Sequence, residues 1–125
     1  MLLQFFVEGG WGMWPVLVFG LVMLASAGRY AWDLEPARLR FVVATAAIVI
    51  VAMSHAMLSN VAAVLWYVSD PERAPDTELT RTVFTGLMES TRPGLLGGAL
   101  LLVALVLVAV GVYRGGVREL RASAG

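Results

Sequence analysis

The sequence predicts an all-α membrane protein with three transmembrane helices, at about residues 11–31, 41–68 and 94–113. An amphipathic helix at about 77–91 can extend the third span. Three observations carry this. The 125 residues are 59% hydrophobic with a mean hydropathy of +0.81, which is too apolar for an ordinary soluble domain. The apolar residues gather into long uncharged runs, and the longest, FVVATAAIVIVAMSHAMLSNVAAVLWYV at 41–68, has 28 residues and no formal charge. At about 1.5 Å per helical residue it exceeds a hydrocarbon core of roughly 30 Å. Finally, the nine arginines and nine acids fall mostly between or beyond these runs. A chain this short makes one integral membrane domain, 1–125, with an interfacial segment at 1–10 and a polar tail at 115–125.

Taken in order, MLLQFFVEGG is apolar with Glu8 as its single charge. It lacks the basic start and small-residue cleavage site of a signal peptide, and it reads as interfacial. WGMWPVLVFGLVMLASAG follows, with Pro15 in the opening turns, where a missing N–H costs least. Arg29 ends this first span, and Trp14, Tyr30 and Trp32 sit where aromatic belts form. RYAWDLEPARLR is then a short connector in which Pro36 is expected to break any helix. After the second span, SDPERAPDTELTRTVFTGLMESTRPG begins with prolines and acids that mark a surface turn. Asp76 can cap a helix starting at Thr77, with Leu79, Val83, Phe84, Leu87 and Met88 on its apolar side. Pro93 and Gly94 permit a kink before GLLGGALLLVALVLVAVGVY, and the tail RGGVRELRASAG is expected to fray.

Arginine counts in short segments orient a membrane protein. The connector holds Arg29, Arg38 and Arg40, and the tail Arg114, Arg118 and Arg121, whereas the loop after the second span holds Asp70, Glu72, Asp76 and Glu78. Connector and tail therefore read as cytoplasmic, with the N-terminus outside.

Composition also excludes several functions. Without cysteine there are neither disulfides nor thiolate metal sites. No basic patch with interleaved aromatics points to nucleic acid. With a lone histidine, no glycine-rich phosphate loop and no paired carboxylates on a buried face, the expectation is no enzyme, no cofactor and no metal.

Phe5 and Phe6, Gly9 and Gly10, and Met13, Trp14 and Pro15, followed by an apolar run to Arg29, resemble the first membrane helix of the MotA/TolQ/ExbB proton-channel family. The third span is similar to that family's last helix, with Glu89 followed eight residues later by Gly97 and an arginine-rich exit. The resemblance implies a multi-pass protein of the bacterial inner membrane and a homo-oligomer, pentameric in the family. It also implies a single-span membrane partner in the central pore, and proton or cation conduction. The departures are as plain. The dozen connector residues stand where the family has a large cytoplasmic insertion, Gly28 stands where a glutamate often precedes the arginine, and the expected pore threonines fall at Pro93 and Gly94. A structural or accessory subunit that keeps the oligomeric scaffold without conduction is the alternative.

At about 100° per residue, Thr45, Ala52, His55, Ala56, Ser59, Asn60 and Ala63 share one side of the second span. Exposing that side to lipid leaves polar groups unsatisfied, so it should meet protein, water or another subunit. His55, read as near mid-membrane, is either a proton relay or a neutral imidazole bridging helices. Ser59 and Asn60 either line a vestibule or hold helices together. Glu89 and Arg92, three apart, either bind and tune a cation or form a solvated pair with each other. In the third span Gly94 and Gly98 form a small-x-x-x-small pair, and Gly97, Ala104 and Gly111 repeat every seven, which reads as helix packing.

Overall fold

A computed structural model describes residues 1–73 and 78–125. It contains five helices among the described residues: α1 (Leu2–Glu8), α2 (Met13–Asp33), α3 (Pro36–Val68), α4 (Leu79–Ser90) and α5 (Arg92–Ala124). Three helical stretches are long and apolar enough to cross a membrane: α2, α3, and α4 with α5 taken together. The proposed cap at Asp76 and start at Thr77 lie outside the described residues.

The first two spans are joined by Leu34 and Glu35 alone. Leu34 closes α2 in the left-handed region, φ 59°, and its N–H reaches the Tyr30 carbonyl at 2.9 Å. Asp33 Oδ1 accepts the Glu35 N–H at 3.1 Å, and Arg38 Nε lies 2.5 Å from Asp33 and 3.1 Å from Glu35. Pro36 does not break the helix as expected. It occupies the first turn of α3, where the missing N–H has no intrahelical acceptor and its fixed φ favours helix entry.

α4 and α5 meet at Thr91, whose φ and ψ are helical. Pro93 has no N–H to offer the Glu89 carbonyl, and the ladder resumes with Leu95 N–H on the Thr91 carbonyl at 3.1 Å. The tail does not fray as expected, and α5 stays helical to Ala124. Arg118, Glu119, Leu120, Arg121 and Ala122 are all good helix formers, and they outweigh Gly115 and Gly116.

α2 packs against both α3 and α5, and α3 also touches α4 and α5. Val16, Met23, Ala27, Val42, Val49 and Ala104 make the buried core. Small residues let the backbones approach: a Cβ on Gly97 would press on Met53 and Val16, and one on Gly111 on Tyr30 and the Ala31 backbone. α4 turns small residues toward α3, with Leu79 and Val83 half-buried. Gly86 lies against Val64 of α3 and Ser90 is buried, its hydroxyl donating to the Gly86 carbonyl at 2.7 Å. Phe84, Leu87 and Met88 face outward. Apolar side chains lose nothing by meeting lipid, so close packing of small residues decides which side of α4 turns inward.

Candidate functional site

Two charged rows bound the bundle. At the acidic end Arg92 pairs with Glu8 of α1, and the Arg92 guanidinium stands 5.6 Å from the Phe5 ring centroid. At the arginine end Arg114 donates to the Ala31 carbonyl at 2.5 Å, and Arg38 holds Asp33. Between Arg92 and Arg114 lie 21 uncharged residues of α5, about 31 Å of helix and the thickness of a hydrocarbon core. Val103 is the midpoint. Since Gly97 lies beside Met53, and α3 and α5 run in opposite directions, Val103 is level with about residue 47 of α3. His55 therefore lies about 12 Å along the axis from the level of Val103, toward the Glu8 and Arg92 end.

The small polar side of α3 divides into two flanks. One flank faces the chain's own helices. Ala56 is 3% exposed and abuts Gly12, and Ala52 is half-buried. Asn60 Nδ2 donates to the Gly9 carbonyl at 3.3 Å. Thr45 is buried, but its hydroxyl is consumed locally, donating to the Phe41 and Val42 carbonyls at 2.9 and 3.0 Å. The other flank faces away: His55 and Ser59 are exposed. His55 sits over a shallow apolar depression lined by Ala47, Ile48, Val51 and Ala52, and has no hydrogen bond or ion pair among the described residues.

Glu89 does not pair with Arg92, which Glu8 takes instead. It is half-buried in an open groove between α3 and α4, with Glu78, Arg81, Thr85, Ala63 and Tyr67. Nor does Glu89 approach His55. The groove lies on the Val64 side of α3, and nine residues at about 100° each put His55 roughly 180° around the helix from Val64. Within one chain the candidate polar residues thus fall into separate places: His55 and Ser59 on an outer flank, Asn60 at the α1–α2 turn, Glu89 in the α4 groove, and Arg92 beside α1.

The proposed packing residues also separate. Gly94 lies against Met57, Gly97 and Gly111 are buried, and Ala104 is 2% exposed, whereas Gly98 points outward with nothing within contact of a would-be Cβ. Two functional contacts escaped the sequence reading. Glu8 was the one charge in an apolar segment, a sign that it needed a partner. Arg114 was the first charge after the last span, positioned to close a helix end.

No protein-family profile, curated protein or solved structure matches this chain.

Proposed function

We propose that the chain is a subunit of a homo-oligomeric membrane assembly of the proton- or cation-channel kind, with the His55 and Ser59 flank of α3 turned toward neighbouring copies. The observation that carries this is the outward projection of His55. It is the sole histidine of the chain, and among the described residues it has no hydrogen bond or ion pair. An imidazole left to lipid costs several kcal/mol, on the order of any unsatisfied polar group there. A second copy or a water-filled axis removes that cost. In this reading the arginine end is cytoplasmic in a bacterial inner membrane. A pentamer, with a single-span partner in its axis, is the arrangement the resemblance implies.

A second reading, a structural subunit without conduction, has its own support. Toward the arginine end the same flank of α3 presents mainly apolar side chains, Ala44, Ala47, Ile48 and Val51, with exposed Ser54 at its edge and Arg40 at its far end. As a conduit this half would be an apolar constriction that gates by dewetting. As a scaffold it would be a seal.

Acidification of dye-loaded liposomes under an imposed potential separates the two. Conduction predicts a proton flux that falls at least about tenfold in His55→Ala. Absence of flux from the oligomer removes the channel and leaves the scaffold. Flux unchanged by both His55→Ala and Glu89→Gln takes these residues out of the path.

A further inference from the structure

The arginine end carries a groove that the proposed function does not use. On the extended part of α5, Arg114, Arg118 and Arg121 recur at spacings of four and three, which places them within about 60° on one face. With Trp32, Leu34 and Tyr113 they line a groove beside the C-terminal end of α2, and no acid is among its lining residues. The nearby acids are engaged or face elsewhere. Asp33 and Glu35 are held by Arg38, and Glu119 lines a neighbouring groove with Tyr30 and Leu39, which Arg118 and Leu34 also border. Arg118 and Arg121 have no hydrogen bond or ion pair among the described residues. Arg114 uses Nη1 on the Ala31 carbonyl and stands 5.8 Å from the Trp32 ring centroid. One of its five N–H donors is thereby anchored while others remain for a ligand.

Depth adds an independent constraint. Arg114 closes the uncharged run of α5, and Arg118 and Arg121 lie about 6 and 10 Å beyond it along the axis. A bilayer's polar layer extends roughly 5–8 Å past the hydrocarbon on each side. Arg114 and Arg118 thus stand at phosphate depth, with Arg121 just past it. Trp32 and Tyr113, 82% and 74% exposed, occupy the belt position. Val110, one turn toward the membrane from Arg114, is exposed and offers an apolar wall.

We propose that this groove binds the phosphate of an anionic phospholipid, with the phosphodiester held by Arg114 and Arg118, a second anionic group reached by Arg121, and an acyl chain along Val110. Guanidinium forks suit phosphate because two parallel N–H donors match two oxygens, and basic pockets between membrane helices recognise anionic headgroups. The site rests on the membrane reading of the fold and is indifferent to whether the assembly conducts.

The test uses the full chain in neutral detergent. Native mass spectrometry measures retention of dioleoyl phosphatidylglycerol against dioleoyl phosphatidylcholine, with inorganic phosphate as a separate competitor. The expected result is preferential retention of phosphatidylglycerol, reduced about fivefold for each of Arg118→Gln and Arg121→Gln and unchanged by Arg81→Gln at the opposite end. Arg118→Lys with Arg121→Lys should recover most of the preference, since the charge remains, and thermal unfolding establishes that each variant is folded. Equal retention of the two lipids overturns the proposal, as does a glutamine pair with the wild-type preference. Displacement of the lipid by millimolar inorganic phosphate would identify a free-phosphate site and overturn the lipid assignment.

Discussion

The two halves of the bundle, divided at about Val103 of α5, hold together by different means. Toward the arginine end the contacts are mainly between small and apolar surfaces, Ala27, Val42 and Ala104 in the core and Gly111 against Tyr30 and Ala31, with the Arg114 link to the Ala31 carbonyl at their edge. The one buried polar side chain there, Thr45, is satisfied by its own helix. Toward the acidic end the helices are tied by polar links between distant parts of the chain, Asn60 to the Gly9 carbonyl and Arg92 to Glu8. His55, Ser59 and Glu89 add polar groups on that side that have no side-chain partner among the described residues. A single copy therefore leaves these unpaired polar groups toward the acidic end.

The largest expected effect comes from close packing in the acidic half. A Cβ on Gly12 would collide with Ala56, side chain and backbone alike, so Gly12→Val should lower stability by about 2–3 kcal/mol. Gly98→Val should stay within about 0.5 kcal/mol, because nothing stands near that position. Thermal unfolding in micelles measures both. A Gly98→Val protein that unfolds normally but assembles poorly would place the outer flank of α5 at a subunit contact.

Arg92→Gln comes next. Its side chain is 17% exposed and that of Glu8 is 34%, so the pair lies between a surface ion pair and a buried one, and about 1–2 kcal/mol is expected after allowing for partial solvation. The loss should shrink in Glu8→Gln with Arg92→Gln together, a double-mutant cycle read by the same unfolding measurement. If the single substitution costs nothing, the acidic half is not tied by charge and the contrast fails.

Thr45→Val should be the mildest change, within about 0.5 kcal/mol, since it removes a hydroxyl that bonds its own backbone and adds a methyl to an apolar contact. Proton flux in liposomes should not change. A large effect on flux would mean that the arginine-end half is wetter than its apolar lining implies.

The spans were legible because long uncharged runs bounded by arginines follow from the energetics of lipid alone. Local chemistry was harder to weigh. Pro36 carries the same restraint whether it ends a helix or starts one, and only the tight turn at Leu34 decides between them. The tail looked frayed by its glycines, yet five good helix formers extend α5 through it. The uncharged run of α3 did not show where its neighbours end: α3 continues well past the row of Glu8 and Arg92 to pack on α4. Partners were the least legible of all. Glu89 and Arg92 share a face by spacing, but Arg92 turns to Glu8, 84 positions earlier in the sequence, a choice that depends on where α1 docks.

The turn made by Leu34 and Glu35 bears on how the chain enters a bilayer. Two residues leave no polar stretch to be stranded between α2 and α3, so the pair can cross as one antiparallel hairpin whose contacts are local in sequence and cheap to close. α5 then arrives against a surface of α2 that is already in place. Lengthening this turn would separate the two insertion steps and leave α2, the helix that contacts both other spans, exposed to the bilayer while it waits for its neighbours.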